Sequence, residues 1–294
     1  MISHEQIRKI IWIVVFFALS IWAQSTPPPG ALIVRQSSTS RGEHATISSA
    51  VAALSSLSGS KTIFIYPGSY NEQIRINYPY SLSIQGYSTN PTSAASNQVT
   101  VKVAISAAQV GSNVKSAAIW AKSEGNVINS FGTGTDTQAL ALASTGNKQV
   151  FKYCTFSSFQ DTVEVEGTAY FLGTRIEGAT AWFESVILAV KATTFQALSQ
   201  VISAGATAGS TYLGRPWSQY ASVAFQFCSL SNVINPAGWS IWAPNDPRTA
   251  DVSFAEYQNV GPGANPSARR FGTQRSSPIP IGAVLGSDYN TWIN

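Results

Sequence analysis

The sequence predicts an all-β fold, a single-stranded right-handed parallel β-helix with a short N-terminal capping helix, and three observations point to it. Beyond Gly59 the chain is a succession of short β-rich runs, few longer than eight residues, separated by Gly, Ser, Asn and Thr. Helix-length periodic segments are scarce there, which argues against alternating strand and helix folds. Three hexapeptides, Phe151–Phe156, Phe171–Ile176 and Phe225–Leu230, share the pattern F-x-x-[CT]-x-apolar, and the first two lie 20 residues apart, about one solenoid coil. Stacked coils bury inward-facing Cys, Thr and aliphatic side chains in ladders, each covering its neighbour. A β-sandwich is the competing architecture, because alternation in short strands does not separate the two.

Taken in order, residues 1–23 read as a secretory signal peptide. Arg8 and Lys9 precede the apolar run "IIWIVVFFALSIWA", with cleavage sites after Ser20 or Ala23. That run is short for a membrane span, and an uncleaved signal anchor is the alternative. Residues 24–30, "QSTPPPG", form a linker, and residues 31–294 a single domain, expected to be secreted, extracellular, monomeric and without stable membrane association once the signal is cleaved. Cleavage removes Arg8, Lys9 and Glu5 and takes the formal charge from +4 to +3. With no run of five like charges a nucleic-acid partner is excluded, while a mildly basic surface favours a polyanion weakly. Cys154 and Cys228 are too few for a disulfide framework, so stability rests on core burial. The stretch "ATISSAVAALSSLSG" carries Ile47, Val51 and Leu54 at helical spacing and ends near Gly59, giving the capping helix. Strands follow in "KTIFIYPGSY", "SLSIQGYS", "QVTVKVAIS", "AAIWAKSEGNVINSF", "QVFKYCTFSSFQ", "TAYFLGTRIEG" and "ASVAFQFCSLSNVI".

Five stretches carry the chemistry: "YPGSYNEQI" (66–74), "TQALAL" (137–142), "FQDT" (159–162), "LGRPW" (213–217) and "GWSIW" (238–242). Singly, each has a structural explanation as a turn, a cap or a solvated loop residue. In this combination and order they resemble the pectin methylesterase (pectinesterase) family, from about Ala31 to the C-terminus. The segments "LGRPWSQYASVAFQ" and "NPAGWSIWAPNDPRTADVSFAEYQNVGPGA" are most similar to fungal secreted members. The resemblance implies the β-helix, hydrolysis of the methyl esters of homogalacturonan (pectin) in the plant cell wall, and no cofactor or metal. Without a metal or a serine triad such a reaction needs a nucleophile, which a carboxylate can be, donors for the oxyanion, and a proton donor for methanol, a role that a second carboxyl can fill before it activates water. The resemblance assigns Asp161 as acid/base, Gln138 and Gln160 as oxyanion donors, and Arg215 as the guanidinium partner of the nucleophile. Trp217 would stack on a sugar ring, with Tyr170 and Trp242 as further substrate-binding candidates.

The nucleophile itself is missing. The family places it in a "DFIFG" or "DYIFG" stretch after "IEG", whereas here "RIEGA" (175–179) runs directly into "TAWFESVI" (180–187), about seven residues short. A second shortening falls near 194–210. Glu177 and Glu184 are the nearest substitutes, but an acid pair must converge on one ester carbon, and a misplacement of about 1 Å costs on the order of a hundredfold. Seven residues span roughly 23 Å of extended chain, so the loss must come from a loop or leave strands unpaired. Two alternatives stand beside an active esterase: a catalytically dead pectin-binding β-helix, and the product of a faulty gene model.

Overall fold

The computed structural model describes residues 25–37, 40–122, 130–132, 139–158, 162–177, 183–184, 188–191, 194–196 and 208–291. The signal segment 1–23, Gln138, Gln160, Asp161 and the 179–180 junction lie outside these residues, as does most of the second shortened stretch. Every ladder between the described strands is parallel, which excludes the sandwich.

The chain visits its sheets in one repeating order. Apart from the coil that carries 130–132 and 142–144, the described coils begin in a three-stranded sheet (32–34, 61–65, 82–86) or, further along, a six-stranded sheet (149–152, 169–172, 188–191, 222–226, 253–257, 273–274). The chain then enters a seven-stranded sheet (68–71, 99–103, 130–132, 155–158, 175–177, 194–196, 229–230) and, over most of the length, a five-stranded sheet (74–76, 119–121, 142–144, 163–165, 183–184). Parallel connections of this kind are right-handed, because a right-twisted strand packs back onto its sheet only that way.

The hexapeptide repeat is the corner of the coil. Phe151, Phe171 and Phe225 are fully buried and point inward from the six-stranded sheet. The next two residues turn the corner, and the second of these adopts positive φ at Tyr153 (52°), Gly173 (57°) and Phe227 (55°). That left-handed residue resets the in-out alternation, so the Cys or Thr three positions after the Phe also faces inward. Cys154 Sγ donates to Lys152 O (3.3 Å), Thr174 Oγ1 to Leu172 O (3.3 Å) and Cys228 Sγ to Gln226 O (3.5 Å), one polar bond repeated at these three corners. Glycine is required at position 173 for a second reason: a Cβ there would lie 2.5 Å from the Tyr153 ring of the coil before.

Register shows a fourth copy. Phe151 pairs with Phe171, Phe171 with Val190, and Val190 with Phe225. The coils are therefore 20, 19 and 35 residues long, and "VKATTF" (190–195) fills the position between the second and third hexapeptides with Val in place of Phe. In the coil that contains the 179–180 junction, the strands 169–172 and 175–177 are paired on both sides and 183–184 on one. Val163 pairs with Phe183, and five residues link Glu177 to Phe183 where four link Ser158 to Val163.

The capping helix runs Ile47–Ala53 and continues as a 3-10 turn, Leu54–Ser56. Ile47, Ala50 and Leu54 are buried, while Val51 is only partly so. Thr46 Oγ1 caps Ser49 N (3.1 Å), and the Glu72 carboxylate accepts from Ile47 N (2.8 Å) and Ser48 N (2.9 Å). A carboxylate at these unpaired amides favours the helix start. Glu72 belongs to "YPGSYNEQI", so this motif fastens the cap to the first coil. At the other end Trp239 and Phe254 stack (4.4 Å between centroids) over the last coils. Beside them Arg269 and Glu256 form a buried pair, Nε to Oε1 2.8 Å and Nη2 to Oε2 3.0 Å. A short helix, Ile281–Leu285, lies on the outside of the six-stranded sheet. Among the described residues no helix is long and apolar enough to cross a membrane.

Candidate functional site

Two of the motif stretches lie side by side. Leu213 N donates to Gly238 O (2.7 Å) and Ser240 N to Gly214 O (2.9 Å), so "LGRPW" runs parallel to "GWSIW" with Gly214 opposite Trp239. This register brings Arg215, Trp217 and Trp242 together. The Trp217 and Trp242 rings meet edge to face at 5.0 Å, and the Arg215 guanidinium lies 4.6 Å from the Trp242 ring centroid. Trp217 remains 53% exposed, an indole held at one edge with a face open to solvent. Rings so placed suit the C–H face of a sugar, and a guanidinium beside them suits a carboxylate.

One residue of this cluster escaped the sequence reading. Arg248 also lies 4.6 Å from the Trp242 centroid, donates from Nη1 to the Trp217 carbonyl, and pairs through Nε with Asp246 (2.8 Å). It sits at positive φ (53°) after the tight turn in which Ala243 and Asp246 exchange backbone hydrogen bonds. The signal was present as "NDPR", a turn-forming run next to an aromatic motif, but a turn composition does not show which way its cation points.

Two further stretches occupy successive coils. Ala141 N (3.0 Å) and Leu142 N (3.2 Å) both donate to Thr162 O, and Ser158 Oγ donates to Ala139 O, so "TQALAL" and "FQDT" flank one another where the five-stranded sheet begins. Thr162 is buried, and its Oγ1 donates to Glu177 O (3.0 Å) in the following coil. Gln138, Gln160 and Asp161 lie outside the described residues.

Tyr170 stands elsewhere. It is 5% exposed and packs with Val150, Val284 and Leu285 beneath the C-terminal helix, on the outer face of the six-stranded sheet. Burial pushes its phenol up to about 12. No open ring face is left for a sugar, and the cleft reading keeps Trp217 and Trp242 alone.

Glu177, considered above as a substitute nucleophile, is buried and ion-paired with Arg175. Burial raises its carboxyl above the usual range, against the opposing pull of Arg175 and Ser157. A carboxyl raised on folding stabilises the native state while protonated and loses that contribution as pH rises through its folded value. Glu177→Gln is therefore expected to raise the unfolding midpoint near pH 7, with the gain shrinking toward pH 4, as thermal melts across that range would record.

A family model described as Pectinesterase matches residues 32–183 and 183–274, two segments that meet at Phe183. The chain is similar to a pectinesterase of Aspergillus niger, 34% identical over 333 aligned positions that cover 98% of each chain. Among solved structures it is similar to the deglycosylated pectin methylesterase of Aspergillus niger (TM-score 0.76, 28% identity, 92% of this chain and 99% of that one). The carrot pectin methylesterase shares the fold, with a TM-score of 0.63 at 21% identity over 92% and 96% of the two chains.

Proposed function

The chain belongs to the pectinesterase family, hydrolases that de-esterify pectin, and on that premise we propose that its site is built for the methyl esters of homogalacturonan and lacks one part, the nucleophilic carboxylate. The observation that carries this reading is the cluster of Arg215, Trp217 and Trp242, in which an aromatic platform is paired with a cation.

In the complete reaction a carboxylate attacks the ester carbonyl and the two Gln amides donate to the oxyanion. Asp161 protonates the departing methanol, leaving an acyl-enzyme anhydride, and then takes a proton from the water that hydrolyses it. Arg215 keeps the attacking carboxylate ionised and in place. In this sequence Ala179 is followed at once by Thr180, so the stretch in which the family carries that carboxylate is missing. Aligned to the Aspergillus niger enzyme over 333 positions, this chain of 294 residues lacks a counterpart at 39 or more, which supports a loss inside the domain. That the two family-matched segments meet at Phe183, four residues past the junction, supports the same place. Secretion through residues 1–23 and a monomeric state belong to this proposal.

The test measures methanol and binding together. The purified chain is expected to release no methanol from methylated pectin above background, yet to bind methylated oligogalacturonate. Trp217→Ala should weaken that binding by roughly tenfold, about what one lost stacking contact is worth. Methanol release at a rate ordinary for such enzymes would overturn the missing-nucleophile reading; absence of binding would overturn the pectin-binding one. Sequencing the transcript across the codons for Gly178 to Thr180 then separates a true deletion from a faulty gene model: an extra in-frame stretch encoding D-[FY]-I-F-G would restore an ordinary esterase.

A further inference from the structure

The outer face of the five-stranded sheet carries a second aromatic and cationic cluster, which shares no residue with the Trp217 cluster. Ile74, Ile76, Ile119, Ala121 and Leu142 point into the core, so Arg75, Trp120, Ala143 and Glu164, which pair across neighbouring strands, form a row on the outside. Trp120 is half-buried; its Nε1 is tied to Thr145 Oγ1 (3.0 Å), and its ring packs against Ala117, Leu140 and Ala143. Lys122 Nζ lies 4.0 Å from the indole centroid, and the Arg75 guanidinium 5.4 Å from it. Arg75 is held in turn by the carbonyls of Ala117 (2.9 Å) and Lys115 (2.7 Å), which brings the exposed Lys115 to the same edge. No ion pair among the described residues engages Arg75, Lys115 or Lys122.

A half-buried indole beside three cations that no carboxylate among the described residues engages matches one kind of polymer: sugar rings with an apolar C–H face, each bearing a carboxylate. We propose that this face binds the de-esterified, anionic run of homogalacturonan, as a product-side site distinct from the methyl-ester cleft. Neighbouring strands lie about 4.8 Å apart, so Trp120 is about 10 Å and Arg75 about 14 Å from the strand that Thr162 opens, within the reach of a few sugar units. Glu164 closes the row at the end nearest "FQDT", whereas the cations lie at the Arg75 end, which places the anionic run on the Arg75 side. A neutral methyl ester gains nothing from these cations. The inference rests on the reading that the polymer is pectin.

Calorimetric titration at low ionic strength, with fully de-esterified hexagalacturonate and its fully methylated counterpart as the two probes, tests it. The wild-type chain is expected to bind both. The double variant Lys115→Glu/Lys122→Glu should lose about tenfold or more in affinity for the acid and change by less than about twofold for the ester. Lys122→Gln, which only removes a charge, should lose about threefold for the acid. Both lysines are exposed, and an unchanged unfolding midpoint verifies that the fold persists. Undiminished binding of the acid by both variants overturns the proposal. A wild-type chain that binds the ester but not the acid overturns it as well and leaves the proposed function standing, whereas a chain that binds neither overturns both.

Discussion

Inserting a D-F-I-F-G stretch between Ala179 and Thr180 is expected to raise methanol release from methylated pectin by at least about a thousandfold over the unmodified chain, while the same insertion with Asn in place of Asp stays at background. The expectation follows from what each part of the site can do alone. Amide donors and a cation lower the barrier only once a tetrahedral centre forms, and on the proposed reading the carboxylate that would form it is the part the sequence lacks. With the role proposed for it, Asp161 is not expected to take over the attack, since the reaction needs it as the proton donor to methanol. The new carboxylate also changes the chemistry of Asp161: a neighbouring negative charge raises a carboxyl's pKa and fits it for acid work near neutral pH. Activity of the restored chain should therefore fall at high pH, as Asp161 loses its proton. The control insertion separates chemistry from folding, because Asn has the size of Asp without its charge. Equal and substantial rates from the two insertions would show that a different group attacks; two silent but folded insertions would show that the residues assigned around Arg215 do not form the site.

The parts of this structure legible in the sequence are those fixed by local chemistry. The Cys or Thr three residues after a Phe marks a corner because a left-handed residue must intervene, and that pattern survives in Phe151, Phe171 and Phe225. The copy at Val190 was hidden, since register is held by backbone pairing and tolerates Val where Phe stands elsewhere. Tyr170 was misplaced for a different reason. Alternation correctly sets it outside the coil, but whether an outer face meets substrate or the helix Ile281–Leu285 depends on chain more than a hundred residues away. Glu72 and Arg248 show the same limit: each lies in or beside a motif, yet its partner is a helix terminus or an indole that only the coil geometry brings near. The aromatic half of the site is thus assembled by strand register, through Gly214 opposite Trp239, while its residue types were readable in advance.

Glu256→Gln is expected to destabilise the chain by about 3–5 kcal/mol, the usual cost of leaving one member of a buried ion pair without its partner. The last coil explains why. Glu256 occupies the strand position paired with Phe225, a core position, so its carboxylate points into the end of the apolar column. Arg269 meets it there with two hydrogen bonds, and its remaining donors reach Pro236 O (3.0 Å) and Gly263 O (2.8 Å). The guanidinium packs so closely on Gly238, at φ 70°, that a Cβ there would stand 2.2 Å from Arg269 Cδ. The pair therefore fastens three segments, the strand Ser253–Tyr257, the "NPAG" turn and the loop at Gly263, over the open end of the solenoid. Gln at 256 keeps the shape and loses the charge, so Arg269 stays buried with only neutral acceptors. Replacing both residues, Glu256→Leu with Arg269→Met, removes the uncompensated charge and should cost clearly less than Glu256→Gln alone, because an apolar pair of similar volume needs no partner ions. Denaturant titrations of the two variants and the parent decide it. If Glu256→Gln costs less than about 1 kcal/mol, the range of an exposed pair, the ion pair does not close this end of the helix, and the stacked Trp239, Phe254 and Phe271 rings carry that role.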